Sequence, residues 1–357
     1  METSLFDYEL PESLIAQVPA PRRDDSRLMV VERATQAVTH CHFKDLPNWL
    51  PAETALFFND AAVFKARLRG TRLTGGAVEC LLLTPGPRPN QFWCLLKPGK
   101  RLPPGTGFTL SDGTSAEVIQ KRTDGQYLVQ FATERAITAM ADQIGEIPLP
   151  PYIERQRQVQ PKLRDLDNQR YQTVYADPKR LVAAAAPTAG LHFTPEILQQ
   201  IESQKIPRHT ITLHIGLGTF QPIQSATLEE HTIHREFYEI PETTQHALKN
   251  AEPGKRVAVG TTTLRAIEDF FKKTGSTLTA GDFVAEADIF LYPPAQFAGT
   301  DGLITNFHLP RSTLVCLVAS FLTPGSQTGI SWLKELYSIA IEQQYRFYSY
   351  GDAMLIL

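Results

Sequence analysis

Five polar segments interrupt the apolar chain, and their residue types suit ligand binding and proton transfer. Ala-Ala-Pro-Thr-Ala-Gly-Leu-His-Phe-Thr-Pro over 185–195 surrounds Thr188 with small residues, and Gly190 lets backbone approach a ligand closely. His192 follows two residues on. Thr194-Pro195-Glu196 is a helix start with an N-cap, a proline at the first position and an early acid, so unpaired amides face the turn. Leu-His-Ile-Gly-Leu-Gly-Thr-Phe over 213–220 sets His214 on a strand end, before Gly216, Gly218 and Thr219. It lacks the third glycine and following helix of a dinucleotide fingerprint, and Pro222 favours a loop.

Arg-Val-Ala-Val-Gly-Thr-Thr-Thr-Leu-Arg over 256–265 runs from a buried strand through Gly260 into a hydroxyl-rich helix start. Thr261 and Thr262, with unpaired amides, make a cradle for a carboxylate or phosphate, and Arg265 one turn later could close a bidentate clamp. The Gly-Lys-Thr ending of a Walker A loop is missing. Thr-Asn-Phe-His over 305–308 offers Asn306 and His308, and the 345–353 stretch offers Tyr345, Tyr350 and Asp352. His231 and His234 have an i, i+3 spacing, but no cysteine or carboxylate sits at a metal-ligand offset, so no metal site is expected. Each segment alone could be an ordinary loop. Five in one domain point to polar groups gathered at strand ends, where binding sites form.

Two kinds of scaffold must position them. Short strands are predicted over 63–69, 77–84, 91–97, 117–121 and 126–131, separated by Gly- and Pro-rich turns and without a convincing helix. They read as a small antiparallel barrel over 61–150. The remaining chain, 1–60 plus 151–357, alternates strands and helices and reads as a layered α/β domain into which the barrel is inserted. Helices are expected at 11–17, 195–204, 243–250, 264–273, 314–321 and 332–345, strands at 209–215 and 256–260, and an extended piece at 289–292.

At 357 residues, 42% hydrophobic and 20% charged, two globular domains are the expectation. Cys41, Cys80, Cys94 and Cys316 form no CxxC pair and are expected to be reduced. The acidic start has no leader pattern, and the longest apolar stretch, 314–322, is about half a membrane span. A cytoplasmic protein without membrane association is therefore expected. A net charge of -3 is silent about nucleic acid. Three local basic groups could meet phosphates or simply face solvent: Lys65, Arg67, Arg69 and Arg72; Lys97, Lys100 and Arg101; and Arg155, Arg157, Lys162, Arg164 and Arg170.

In order along the chain, these segments resemble the S-adenosylmethionine:tRNA ribosyltransferase-isomerase family of queuosine biosynthesis. The resemblance also takes in 6–11, 23–28 (Arg-Asp-Asp-Ser-Arg-Leu), Phe-Asn-Asp at 58–60, Leu-Pro-Pro-Tyr-Ile at 149–153 and Arg-Tyr-Gln-Thr-Val-Tyr-Ala at 170–176. It implies a large α/β domain carrying a small β-barrel. It further implies transfer and isomerisation of the ribosyl part of S-adenosylmethionine onto the aminomethyl-deazaguanine at the tRNA wobble position. Epoxyqueuosine forms, adenine and methionine leave, and no metal takes part.

On that resemblance His192, His214 and His308 are candidates for proton transfer. Asp24, Arg27, Asn59, Asp60, Thr188, Gly190, Gly216, Gly218, Thr219, Gly260, Thr261, Thr262, Arg265, Asn306, Tyr350 and Asp352 are candidates for substrate contact. The expected partners are S-adenosylmethionine, consumed as a co-substrate, and tRNA carrying the precursor base; a monomer is expected. The chain departs from the family at Ala61-Ala62, where Thr-Arg is usual, at Glu286, where Trp is common, and at Pro294-Ala295, where Gly-Tyr is usual. Two competing readings are an S-adenosylmethionine-dependent RNA methyltransferase, whose Gly-rich loop after the first strand is missing, and a non-catalytic tRNA-binding module.

Overall fold

Runs such as Ala-Leu-Phe-Phe-Asn and Gly-Leu-Ile-Thr-Asn are buried at every position, as strands covered on both faces must be. The computed structural model describes all residues of 1–357 except 124, 154–160, 184, 215–221 and 276. In chain order the outer domain begins with β1 (Arg27–Glu32), β2 (Ala37–His42), β3 (Ala55–Asn59) and β4 (Ala62–Val63). The next six are β5 (Arg67–Arg72), β6 (Ala77–Pro85), β7 (Gln91–Lys97), β8 (Gly107–Leu110), β9 (Ser115–Lys121) and β10 (Tyr127–Phe131). Then come β11 (Leu181–Ala183), β12 (Arg208–Leu213), β13 (Glu236–Ile240), β14 (Arg256–Val259), β15 (Phe283–Ala287), β16 (Gly302–Asn306) and β17 (Ala353–Ile356).

Nine strands form one mixed sheet in the order β15-β13-β12-β3-β14-β16-β17-β1-β2. Its centre, β12-β3-β14-β16, is parallel, so the carboxyl ends of four strands emerge on one edge. Side-chain alternation divides their apolar residues between two cores. Leu56, Phe58, Val257, Val259 and Ile304 face α3 (Pro195–Ser203) through Ile197 and Ile201. Phe57, Ala258 and Leu303 pack with Leu264, Ile267 and Phe270 of α5 (Thr261–Thr274). The same core takes in α6 (Thr313–Leu322) and α7 (Gly329–Glu342), while α4 (Glu242–Asn250) contributes Leu248.

Strands β5 to β10 close into a barrel, order β10-β7-β6-β5-β8-β9, whose interior holds Leu68, Cys80, Leu82, Cys94, Phe108 and Val118. The barrel and mixed sheet agree with the fold class read from sequence. Strand β8, a four-residue piece, is an addition to that reading. So is a helix, α1 (Ile137–Ile144), which closes the barrel core with Ile137, Met140 and Ala141. A further helix, α2 (Pro161–Arg170), follows. The helix expected at 11–17 is only a 3-10 turn, Glu12–Leu14, and the extended piece expected at 289–292 is not part of a strand, the preceding strand being β15.

The first basic group is largely neutralised by acids rather than free. Arg69 pairs with Glu79 and, at 2.9 Å, with Glu146; Arg67 Nε lies 3.6 Å from Glu79 and Lys65 Nζ 3.2 Å from Asp142. Of the third group, Arg155 and Arg157 lie outside the described residues, as does the Lys162 side chain. Arg164 reaches Glu146 at 3.7 Å, and Arg170 donates to the carbonyls of Ala20 and Pro21. Lys97, Lys100 and Arg101 form no ion pair among the described residues.

Candidate active site

At the carboxyl edge of the parallel strands, β14 ends in Gly260, whose φ of 93° lies where side chains are disfavoured. The Gly260 amide donates to Ile304 O at 2.8 Å, joining β14 to β16 as the chain turns into α5. The first intrahelical bond is Leu264 N to Gly260 O, so the amides of Thr261, Thr262 and Thr263 have no partner within the helix. The Thr263 hydroxyl donates to Val259 O, while Thr261 and Thr262 line a pocket.

Across that pocket the 185–195 segment forms a 3-10 turn, Thr188–His192, followed by α3 with Thr194 capping Ile197 N. Thr188 Oγ1 donates to Asn306 Oδ1 at 2.9 Å, and Asn306 Nδ2 lies 3.1 Å from His192 Nε2. An amide can only donate there, so His192 Nε2 is bare and neutral. Burial holds His192 down to about 3, helped by the nearby cations Arg346, Arg23 and Arg170. His308 Nε2 is 2.7 Å from Thr305 Oγ1, and burial likewise holds that ring down to about 3. The Thr305 hydroxyl also points at Asn306 O, 3.3 Å away, which favours the tautomer with Nε2 protonated and Nδ1 a bare acceptor. The pocket is walled by Thr188, Gly260, Thr261, Thr262, Asn306 and His308.

Gly190 serves a different close approach. A side-chain carbon there would fall 1.8 Å from the Tyr175 hydroxyl and 2.9 Å from Thr173 Cγ2. The hydroxyls of Tyr171, Thr173 and Tyr175 in this packed layer are buried without a hydrogen-bond partner among the described residues. Sequence reasoning on Thr188 and His192 did not point to this layer.

Several residues expected to contact substrate also make bonds that hold the fold. Asn59 Oδ1 accepts from Ala61 N and Leu213 N, and its Nδ2 donates to Leu213 O, tying β3 to β12. Asp60 accepts from the Thr212 hydroxyl at 2.7 Å, and burial raises its carboxyl. Asp24 pairs with Arg22. Asp352 takes the amides of Arg27 and Arg346 and the Arg346 guanidinium. Arg27 lies over the Tyr345 ring at 3.8 Å, and Tyr350 donates to Asp167. His214 is exposed beside Phe237 and lines no pocket described here. Gly216, Gly218 and Thr219 lie outside the described residues.

The expected role of Arg265 changes most. Its Nη1 donates to Glu236 at 2.6 Å, Nη2 to the carbonyls of His234 and Ala287, and Nε to Ile289 O. No bidentate fork is left for a ligand. The guanidinium is a strut between two chain segments that wall a second cleft. That cleft shares Thr261, Thr262 and Leu314 with the first pocket, and its remaining lining combines Ile233, Ile289, Phe290, Leu291 and Leu317 with His231, His234, Glu236, Arg265 and Thr313. Nothing in the local pattern of 256–265 announced carbonyl partners more than twenty residues away.

The family model for "Queuosine biosynthesis protein" matches residues 3–356. An S-adenosylmethionine:tRNA ribosyltransferase-isomerase of Heliobacterium modesticaldum is 44% identical over 361 residues, covering 100% of both chains. One of Gloeobacter violaceus is 44% identical over 99% of this chain and 96% of its own. The crystal structure of S-adenosylmethionine tRNA ribosyltransferase from Thermotoga maritima is 31% identical, with a TM-score of 0.53, covering 99% of this chain and 100% of the other.

Proposed function

Because the chain belongs to the queuosine biosynthesis protein family, we propose that it transfers and isomerises the ribosyl group of S-adenosylmethionine onto a tRNA base. The acceptor is the aminomethyl-deazaguanine at the wobble position, the product epoxyqueuosine-tRNA, and adenine and methionine are released. The observation that carries this reading at the site is the polar pocket at the parallel strand ends, where Thr188, Asn306 and His308 face the first turn of α5.

S-adenosylmethionine supplies a sulfonium that acidifies the neighbouring ribose carbon and a purine that can depart. The protein's own residues supply position. The free amides and hydroxyls of Thr261 and Thr262 suit the amino-acid carboxylate, which the positive end of the α5 dipole favours. Thr188 already donates to Asn306, so its lone pairs are available to a ribose hydroxyl. His308, neutral at working pH, accepts through its bare nitrogen. His192 is a positioning residue that fixes the Asn306 amide, and Arg265 holds the cleft walls. Cytoplasmic action on tRNA fits an enzyme of this kind, and no helix among the described residues is long and apolar enough to cross a membrane.

The test is a product assay with S-adenosylmethionine and tRNA bearing the aminomethyl-deazaguanine base. Free adenine and methionine in equal amounts are expected. S-adenosylhomocysteine would mean methyl transfer, and no adenine at saturation would mean a binding module.

A further inference from the structure

The second cleft has its own chemistry, different from that of the pocket beside it. Its walls are Ile233, Phe290, Leu291, Leu314 and Leu317, and His231 stands at its edge with its ring 5.5 Å from that of Phe290, at an interplanar angle of 68°. Neither His231 ring nitrogen has a hydrogen-bond partner among the described residues. The titratable and charged side chains around it are His234 and Glu236 on its own segment and Arg265 from α5; the 289–291 segment and α6 add none. Glu236 and Arg265 neutralise each other at 2.6 Å, with their side chains only 5% and 12% exposed. The same guanidinium bonds the carbonyls of both flanking segments, so the two walls are held at a fixed separation.

A flat heteroaromatic ring needs apolar faces, an aromatic neighbour and one or two polar groups at its edge. An amino acid or a ribose needs hydroxyls and amides. The two connected cavities divide along that line, with Thr261 and Thr262 on the border.

We propose that the cleft walled by Ile233, Phe290, Leu314 and Leu317 receives the adenine of S-adenosylmethionine, and that His231 is a catalytic residue protonating it on departure. This deepens the ribosyl-transfer reading and rests on it. The bond between the purine nitrogen and the ribose carbon breaks, its electron pair leaves with the purine, and a lone pair of the ribose ring oxygen makes up the deficit at that carbon. A proton passes from the His231 imidazolium to a purine ring nitrogen, so neutral adenine departs and the imidazole recovers its proton from solvent. His231 is half-buried and keeps that access, whereas the rings of His192 and His308 are buried and neutral. Burial and, after it, the neighbouring His234 hold the His231 ring below its ordinary value.

Calorimetry of the full chain with adenine alone and with L-methionine alone tests the binding half. Phe290→Ala is expected to weaken adenine about tenfold or more and to leave methionine unchanged. Ile233→Trp, which fills the cleft from its opposite, partly exposed wall, should do the same. If both folded variants bind adenine like the wild type, the proposal is overturned. For the catalytic half, His231→Asn should keep the Kd for S-adenosylmethionine within about threefold and lower kcat for adenine release about 100-fold. It should also abolish the alkaline fall of kcat that loss of the proton donor produces. Retained kcat would overturn the assignment. A wild type that binds adenine in this cleft yet releases none from S-adenosylmethionine and tRNA would instead fault the ribosyl-transfer reading.

Discussion

Two buried imidazoles, His192 and His308, set a stability condition that their chemistry alone would not suggest. In the unfolded chain an imidazole titrates near about 6.5, whereas both native rings are held down to about 3. Between those values the unfolded state binds more protons than the native state, so stability falls as pH falls. It is fully present above about pH 6.5 and declines by up to about 1.4 kcal/mol per pH unit for each ring. Urea unfolding at pH 7 and pH 5 should show the loss, and His308→Asn should reduce its slope; identical slopes would contradict the buried neutral ring. Asn306→Leu, of similar size, strands both Thr188 and His192. It should cost about 1–3 kcal/mol in denaturant unfolding and lower kcat/KM by at least about tenfold. Sequence marked Thr188, Asn306 and His192 as candidates. Their hydrogen-bonded chain spans 118 and 114 residues of separation, which no local pattern encodes.

At the scale of elements, the helix starts were legible because their signals are local. Thr194-Pro195-Glu196 opens α3 as read, and Gly260-Thr261 opens α5, three residues before the apolar period suggested. Helix α1 was missed for a matching reason: Ala136 precedes it without a side-chain cap, and the helix has no acid in its first turn. The tight layer behind the 188–192 turn was equally hidden, since it depends on Tyr175 meeting Gly190. Gly190→Ala should destabilise by about 1–3 kcal/mol through overpacking. Tyr175→Phe removes a buried hydroxyl with no partner and should be neutral or mildly stabilising. Combined, the two changes should be less costly than Gly190→Ala alone, and strict additivity in the melting data would argue against the contact.

At the scale of the molecule, the barrel carries an apolar interior distinct from the two cores of the mixed sheet. Phe108→Ala should therefore cost about 3–5 kcal/mol in barrel stability while the Kd for S-adenosylmethionine stays within error. A matching loss of affinity would show that the barrel supports the site directly. Closely spaced strands and turns made the barrel readable; the nine-strand order of the sheet was not, because its neighbours lie far apart in sequence. Strand β3 pairs with β12 and β14 from well outside its own neighbourhood, and β1 pairs with β17 across most of the chain.

The backbone at Arg67 and Glu146 exchanges two hydrogen bonds, of 3.1 and 2.9 Å, where the chain enters and leaves the barrel. Two segments about eighty residues apart thus meet as a single pair of rungs, and a short turn could in principle join them. For protein engineers this is a socket. A different small domain whose ends lie equally close could be plugged in at that point, leaving the catalytic sheet's topology untouched.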